Sequence, residues 1–465
     1  MAGMTALTAV ILAAGHGTRM RSNLPKVLHE LCGRPLVGWP IAAAREAGAD
    51  RVVVVEGPDR LLEGRLGDGV ETAVQPVANG TGGAVQAAAD ALPREGTVLV
   101  LAGDAPLIDG PTLQALVDAH VASGAAATLL SAEHPDPRGY GRIVRDADGN
   151  VARIVETKTE GDATPEELAI AEVNASVYAF DAAALHDALA RLSTDNAQGE
   201  LYLTDTVSIL RGDGRGVGVH IADDWQVVLG VNDRVALAEV RTLLQRRILE
   251  AHMLSGVTVI DPATTYVDAG VEIGRDAVLE PMTVLRGATR VGAGSRVGPS
   301  TTLIDARLGE GVTILNAHVV DAELHDGVTV GPFAYLRPGT VLRAGSKAGT
   351  FVELKNSDIG EGTKVPHLSY LGDADVGPGT NIGAANVTAN YDGVRKHRTT
   401  IGKGVKTAVD TTFVAPVQVG DNAWTGAGAV VRKDVPDGAL AVGVPARVIE
   451  GYDARRRDQV VSSED

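Results

Sequence analysis

The sequence predicts an α/β domain of the Rossmann-like kind at the N-terminal end, then a long linker helix, then a parallel β-helix of six-residue repeats. Three observations carry that prediction. Between Leu7 and Ser131 short apolar runs alternate with helical stretches in the βαβ manner. From Asn232 apolar residues recur at helical spacing, at Val235, Leu237, Val240, Leu243, Leu244, Ile248 and Leu249. From Ile273 an aliphatic residue recurs every sixth position, at Leu279, Leu285, Val291, Val297 and Leu303, and the register resumes at Leu324, Val330, Leu336, Leu342, Ala348 and Leu354. Neither a helix nor ordinary strand pairing has that period. A Gly after the aliphatic position, as in Ile273-Gly274, Val291-Gly292 and Val330-Gly331, gives each hexad one short strand and one turn. The expected divisions are 1–231, 232–255 for the linker helix, 256–450 for the repeat, and a disordered tail over 451–465.

Composition agrees. A chain of 465 residues is too long for one core. With 56 glycines and 3% aromatics it suits a solenoid filled by stacked aliphatics. The formal charge of −17 argues against a nucleic-acid or membrane-surface role, which needs a basic face, so an anionic substrate must meet local cations. The single Cys32 cannot form an intramolecular disulfide, fits a reducing compartment, and reads as a small core residue. Leu7 to Ala14 is too short to span a membrane, and Met1 to Thr5 lacks the cationic flank of a signal peptide. The expectation is a cytoplasmic protein.

Taken in order, Leu7 to Leu12 is a buried-strand pattern followed by Ala13-Ala14-Gly15-His16-Gly17-Thr18-Arg19-Met20 and Pro25-Lys26. A Gly-rich turn after a first strand lets backbone N–H groups approach phosphates. The third Gly of a dinucleotide fingerprint is replaced by Met20, and no P-loop Gly-Lys-Ser/Thr is present. Arg51 to Val55, Thr97 to Ala102 and Ala127 to Ser131 read as strands, with helices over Gly83 to Leu92 and Pro111 to Ser123. Such alternation argues a mostly parallel sheet, with ligands at the carboxyl ends of its strands. Asp104 stands there, in Ala102-Gly103-Asp104-Ala105-Pro106. A carboxylate beside a phosphate site suits Mg²⁺, which takes one or two protein oxygens plus phosphates and water; the competing reading is a turn or capping Asp. Asn232 at the start of the linker helix has its own competing reading, that of an N-cap.

The whole string Leu12 to Lys26 resembles the signature of sugar-nucleotide pyrophosphorylases. That resemblance implies that Leu12, Ala13, Ala14 and Gly15 line a UTP site where Arg19 and Lys26 clamp the triphosphate. Gln75 with Gly80 and Thr81 would read the uracil edge and ribose; Ala102, Gly103 and Asp104 would face the nucleotide; Gly141, Glu156 and Asn174 would hold the sugar. Asn196-Ala197-Gln198-Gly199-Glu200-Leu201-Tyr202-Leu203-Thr204-Asp205 is similar to a stretch of the bifunctional UDP-N-acetylglucosamine pyrophosphorylase / glucosamine-1-phosphate N-acetyltransferase family, and the likeness then spans nearly the whole chain. It implies that Asp104 and Asn232 bind Mg²⁺, that UTP and acetyl-CoA are co-substrates, that the chain is a homotrimer, and that the product feeds peptidoglycan and lipopolysaccharide-type precursors.

The repeat is similar to the left-handed β-helix family, in which three hexads close one triangular coil. In that register Arg337 and Lys355, each following its aliphatic residue by one, lie three hexads apart and stack about 4.8 Å apart on one face. Two cations so placed repel unless an anion bridges them, and phosphate suits an Arg fork; the competing reading is two side chains splayed into water. His367 and Tyr370 follow in Val365-Pro366-His367-Leu368-Ser369-Tyr370, with Glu353 one coil earlier. A neutral imidazole can take a proton from an attacking amine and a carboxylate can orient it, although a solvent-facing His at a turn is the plainer alternative. The resemblance implies that His367 is the general base of acetyl transfer, Glu353 its orienting partner, and Arg337, Lys355, Tyr370 and Asn381 the sugar-phosphate contacts. Acetyl-CoA would meet Ala384, Asn390, Tyr391, Lys396, Val409 and Ala427. Between Val387 and Thr400 the register fails over a basic insert, read either as a cover for coenzyme phosphates or as a disordered loop. Two departures from the family bear on coenzyme affinity: Ala408-Val409 stands where many members have Gly-Ser, and Gly443 where some have Arg. The rival reading is a nucleotidyltransferase whose β-helix only oligomerises; His367, Arg337 and Lys355 together argue against it, and a non-enzymatic scaffold needs none of these motifs.

Overall fold

The computed structural model describes residues 6–157, 163–195 and 198–453. Met1 to Thr5, Lys158, Asn196-Ala197 and, of the tail expected to be disordered from 451, residues 454 onward lie outside the described residues, while residues 451–453 are ordered, with Asp453 N–H on Gly438 O. The chain divides into two compact units, 1–244 and 245–465.

In the first unit the strands are β1 (Leu7–Leu12), β2 (Arg51–Glu56), β3 (Val70–Val74), β4 (Thr97–Ala102), β5 (Ala127–Glu133), β6 (Arg142–Arg145), β7 (Val151–Val155), β8 (Glu172–Asp181) and β9 (Val217–Ile221). They form one sheet in the order β9-β5-β8-β4-β1-β2-β3, with the β6–β7 hairpin joined to β8. Near-continuous aliphatic runs such as Leu7 to Ile11 are buried because each face of the sheet carries its own apolar cluster. The sheet is mostly parallel, as expected, but β8 runs antiparallel to both β4 and β5. Between β5 and β8 the described chain makes the β6–β7 hairpin and then only the four-residue helix Pro165–Leu168, not the long crossover helix that parallel strands need.

The helices are α1 (Gly38–Glu46), α2 (Thr81–Ala87), α3 (Gly110–Ser123), α4 (Pro165–Leu168), α5 (Ala182–Leu189), α6 (Asp205–Gly212) and α7 (Arg234–Leu254). The stretch expected to be helical to Leu92 breaks at Ala87 and finishes as a 3₁₀ turn over Ala89–Ala91. α3 begins at Asp109, whose carboxylate accepts from Thr112 N–H, and ends at Gly124 with φ 61°. No described helix is long and apolar enough to cross a membrane.

The second unit is the predicted left-handed parallel β-helix. Its first face runs from Thr258–Val259 to Lys364–His367 and continues through bridges at Asn381, Lys406 and Trp424; its second face runs from Tyr266–Val267 to Val430–Val431, and its third from Glu272–Ile273 to Val417–Val419. One continuous aliphatic column fills it from Val257 to Ala441. Leu285, Leu303, Val319, Leu336 and Leu354 stack in register. The lapse in the six-residue period after Leu303 is two shortened coils, of 16 and 17 residues, between Leu303, Val319 and Leu336. Many corners are turned by a left-handed residue: Met282, Ser300, Asn316, Phe333, Phe351, Leu368, Ala385 and Asp410 between the first and second faces, and Asp305, Asp321, Asn356 and Asp373 between the second and third.

Candidate active sites

The tips of β1 and β4 build the first site. Gly103 N–H bonds Leu12 O at 2.9 Å and Ala13 N–H bonds Val55 O at 2.8 Å, so Leu12, Ala13, Ala102 and Gly103 are tied together by backbone. A Cβ on Gly103 would stand 2.8 Å from Leu12 O. Beyond Ala13 the chain leaves the sheet, and the N–H groups of Ala14 to Thr18 take no partner among the described residues. Gly17 has φ 59°, and a Cβ there would meet Lys26 Cβ at 2.4 Å. Glycine is what lets Lys26 lie against the loop.

Lys26 then reaches Asp104 and Asn232. Its ammonium is ion-paired with the Asp104 carboxylate and lies 3.3 Å from Asn232 Oδ1, which also accepts from Arg19 at 2.9 Å. Val231 N–H on Asp104 O at 2.8 Å fixes the two segments side by side. The helix-capping alternative for Asn232 falls away: Asp233 caps α7, accepting from the N–H groups of Val235 and Ala236 at 2.9 Å. Asn232 is thereby left for the site.

The Gln75 side-chain nitrogen donates to Asn79 Oδ1 at 2.8 Å and to Gly80 O at 3.1 Å, so this amide shapes the turn that precedes α2. Gly80, with φ 101°, has Leu201 O within 2.5 Å of where a Cβ would stand. Leu201 N–H bonds Asn79 O at 2.7 Å and Leu203 N–H bonds Thr81 Oγ1 at 3.0 Å, so the 198–205 stretch clamps that turn. Across the sheet Asn174 N–H bonds Gly141 O at 2.9 Å, and its side chain donates to the buried Tyr178 hydroxyl at 2.7 Å. Burial first, with the Asn174 bond opposing, pushes the Tyr178 phenol up, and the Glu156 charge adds to it. Burial, then Glu156, also raises Asp205.

The second site occupies adjoining coils of the β-helix. His367 ends the first-face strand Lys364–His367, is exposed, and lies in register with Thr350. Ala385 N–H bonds His367 O at 3.3 Å, Asp410 N–H bonds Ala384 O at 2.9 Å, and Gly428 N–H bonds Val409 O at 3.0 Å. His367, Ala384, Val409 and Ala427 therefore hold one corner position in four successive coils, about 4.8 Å apart. Tyr370 opens the second face beyond that corner, in register with Glu353.

Arg337 and Lys355 stack in adjacent coils as the register predicts, Arg337 N–H bonding Leu354 O at 2.9 Å. Their mutual repulsion is nevertheless answered within the chain, which corrects the expectation that only a ligand anion could do so. Arg337 pairs with Glu353 at 2.9 Å and Lys355 with Asp373 at 3.4 Å. Glu353 is thus placed on Arg337 instead of on His367, because its strand points it along the second face toward the neighbouring coil. Asn381 lies opposite Lys364 on the first face, three positions short of His367, and is not brought to Arg337 and Lys355.

The basic insert is an ordered hairpin, with Tyr391 bridged to Lys396. Asp392 holds it: one carboxylate oxygen accepts from Val394 and Arg395 N–H at 2.8 and 2.7 Å, and the other faces His397 Nε2 at 2.6 Å. Those backbone donors, then His397, hold the Asp392 carboxyl well below the usual carboxylate range. The hairpin brings Lys396 against Lys355. The Lys396 amine pushes Lys355 up, and Lys355 in turn pushes Lys396 down, as two ammonium groups facing each other shed one proton easily.

Comparison with known proteins follows this division. Residues 9–207 match the MobA-like NTP transferase domain. The bifunctional protein GlmU of Mycolicibacterium vanbaalenii is 54% identical over 459 residues, covering 96% of this chain and 93% of its own length. The chain belongs to the GlmU family. GlmU of Mycobacterium tuberculosis is 52% identical over 462 residues, covering 97% of this chain and 93% of its own length, and GlmU of Streptomyces avermitilis 51% over 467, covering 98% and 96%. As a GlmU-family chain it is a bifunctional enzyme, a uridylyltransferase and a glucosamine-1-phosphate acetyltransferase. Sequence reasoning misses two residues of this GlmU fold: Asp233, which caps α7 beside Asn232, and Asp373, at the centre of the cation cluster. Asp233 carries a readable signal, an Asp before a helical period. Asp373 carries none, since its corner is visible only once coils are closed.

Proposed function

We propose that the β-helix acetylates glucosamine-1-phosphate from acetyl-CoA, and that the N-terminal unit then joins the product to UTP, releasing pyrophosphate. The observation that carries the reading is the corner ladder of His367, Ala384, Val409 and Ala427 beside the Arg337, Lys355 and Lys396 cations. An extended coenzyme arm along the ladder presents its thioester at His367, while a sugar phosphate is held on the cations around Tyr370. The His367 imidazole takes a proton from the substrate ammonium; the freed amine attacks the thioester carbonyl, the C–S bond breaks, and the thiolate is protonated. Asn390 and Tyr391 cover the arm from the insert.

In the first site a phosphate oxygen of N-acetylglucosamine-1-phosphate attacks the α-phosphorus of UTP as the bond to pyrophosphate breaks. Arg19 and Lys26 neutralise charge there, the unpartnered N–H groups of Ala14 to Thr18 receive phosphate oxygens, and Gln75, Gly80 and Thr81 shape the base-binding turn. Gly141, Glu156 and Asn174 hold the sugar. Asp104 and Asn232 fit Mg²⁺, because a carboxylate and an amide oxygen already converge on one cation, that of Lys26. When bound, Mg²⁺ supplies charge neutralisation to the phosphates. Asn381 lies on a different face from Arg337 and Lys355, which supports a homotrimer in which neighbouring chains complete the acetyltransferase site. A cytoplasmic location fits the buried Cys32, which forms no disulfide among the described residues.

The test is thiol release from acetyl-CoA with glucosamine-1-phosphate, beside pyrophosphate release from UTP with N-acetylglucosamine-1-phosphate. His367→Ala should lower the first rate by at least about a hundredfold and leave the second unchanged. Undiminished thiol release would remove His367 as the base.

A further inference from the structure

We propose that Asp373 is a positioning residue for acetyl transfer: by holding Lys355, Asn356 and Asn390 on one buried carboxylate, it sets the charge and place of the lysine that meets the sugar phosphate. The inference rests on the acetyltransferase reading above.

Asp373 turns the corner between the second-face strand Tyr370–Gly372 and the third-face strand Ala374–Val376, with φ 52°. That conformation by itself favours Asp, Asn or Gly. The fold's demand therefore explains a small polar residue here, and Asp305, Asp321 and Asn356 turn the same corner in earlier coils with φ 52°, 43° and 47°. It does not explain what the carboxylate holds. Oδ1 accepts from Asn356 Nδ2 at 2.7 Å, and Oδ2 accepts from Asn390 Nδ2 at 2.5 Å and from Lys355 Nζ at 3.4 Å. Asp305, by contrast, spends its oxygen on a backbone N–H, that of Ala288 at 2.8 Å.

The neighbourhood is built around these contacts. A Cβ on Gly372 would stand 2.3 Å from the Tyr370 hydroxyl and 2.8 Å from Asn390 Nδ2, so glycine lets the ring and the amide close over the strand next to Asp373. The Asp373 backbone completes the frame. Its N–H bonds Lys355 O at 2.9 Å, and its carbonyl accepts Thr399 N–H at 3.1 Å at the far end of the basic insert. One residue thus binds the coil below, through Lys355 and Asn356, and both ends of the insert above, through Asn390 and Thr399.

The charge logic follows. Burial pushes the Asp373 carboxyl up, but the donations from Asn356, Asn390 and Lys355 together outweigh it and hold the group below its ordinary value. Lys355 faces Lys396, with Arg337 adding positive charge nearby. Three cations in one place favour losing a proton from one of them. Lys355 is the one that stays charged, raised first by the facing Lys396 amine and then by the Asp373 carboxylate it pairs with, and Lys396 is the amine pushed down. Without the carboxylate the Lys355 amine would lose its proton at lower pH and the phosphate would lose its fixed anchor.

Asp373→Asn tests this, because Asn keeps the shape and tolerates the left-handed corner while removing the charge. Acetyl transfer is followed as thiol release across pH, with the uridylyltransferase rate of the same preparation as the check that the chain is folded. The expected result is a KM for glucosamine-1-phosphate raised about tenfold with kcat changed far less, and an alkaline limb of kcat/KM moved down by about one pH unit, while KM for acetyl-CoA holds. Lys355 deprotonates on that limb, so losing its counter-charge must move the limb toward lower pH. An unshifted limb with wild-type KM overturns the inference, and so does a fall in kcat alone, which a purely structural corner would give. Asp373→Gly, which suits the corner even better and removes every contact, should match Asp373→Asn in KM; a wild-type KM in the Gly variant would also overturn it. Failure of the wild-type chain to release thiol would instead strike the acetyltransferase reading itself.

Discussion

Gly17 shows how one missing Cβ sets a site. Its φ of 59° already disfavours other residues, and the Cβ of an alanine would stand 2.4 Å from Lys26 Cβ. Lys26 would have to withdraw from Asp104 and Asn232. Gly17→Ala should cost the uridylyltransferase at least about tenfold in kcat/KM, through the lost charge alignment, and leave thiol release untouched. Gly15 is the control: nothing lies within 4 Å of the position its Cβ would take, so Gly15→Ala disturbs no packing and acts only by obstructing the phosphates. Equal loss at both positions with Lys26 still able to protect the site by nucleotide binding would refute the packing argument. At this scale the sequence was legible where residue type followed from close approach, as at Gly17 against Lys26. Glu353 was not, because which partner a carboxylate takes depends on strand direction across coils.

The corner between the first and second faces carries the argument at the scale of elements. From the second coil on, this corner turns on a left-handed residue, and Ser300, Asn316, Ala385 and Asp410 are small or polar, while Met282 is a bulky one standing alone. Three successive coils instead supply Phe333, Phe351 and Leu368, at φ 59°, 58° and 49°. Bulky residues in that region are strained, and these three are also 55%, 56% and 60% exposed, with the two Phe rings stacked at 5.2 Å. An apolar ridge kept at such cost, ending beside His367, is the contact expected for a second copy in the proposed trimer. Phe333→Asp with Phe351→Asp should convert the trimer to monomers by sedimentation and abolish thiol release while pyrophosphate release persists. A trimer that survives both charges would place the interface elsewhere. The hexad period made the strands and the buried column readable, including Leu336 over Leu354. It could not show the ridge, since a period of six marks what points inward and says nothing of what a corner presents to solvent. The shortened coils after Leu303 hid the rest: a 16-residue coil looks like lost register until Leu303 is seen stacked on Val319.

Across the whole molecule, the buried histidines are unevenly shared. Burial pushes His29, His120 and His134 of the first unit below the ordinary 6.5, while His252 is the histidine so shifted in the second. His120 bonds Thr128 Oγ1 at 3.0 Å, and His134 packs edge-on to Trp225 at 4.5 Å; burial lowers both, outweighing the opposing pull of Asp181 on His120 and of Asp136 on His134. A histidine kept neutral by the fold stabilises it fully above 6.5, and that contribution is lost as pH falls from there toward the lowered folded value, because the unfolded chain binds the proton first. Carboxylates held low in the second unit, such as Asp373 and Asp421, lose their contribution only below 3.8. Mild acid must therefore weaken the first unit before the second. The three tryptophans allow the two to be watched separately. Trp424→Phe leaves Trp39 and Trp225 as reporters of the first unit, and Trp39→Phe with Trp225→Phe leaves Trp424 as reporter of the second. Between about pH 7 and about pH 5 the urea midpoint seen by Trp39 and Trp225 should fall by roughly half a molar or more, and that seen by Trp424 by much less. His120→Gln should flatten the first dependence, since an amide can keep the Thr128 bond without binding a proton. Parallel falls at both reporters would mean that the histidines do not govern the acid response, and that the units share a common source of it.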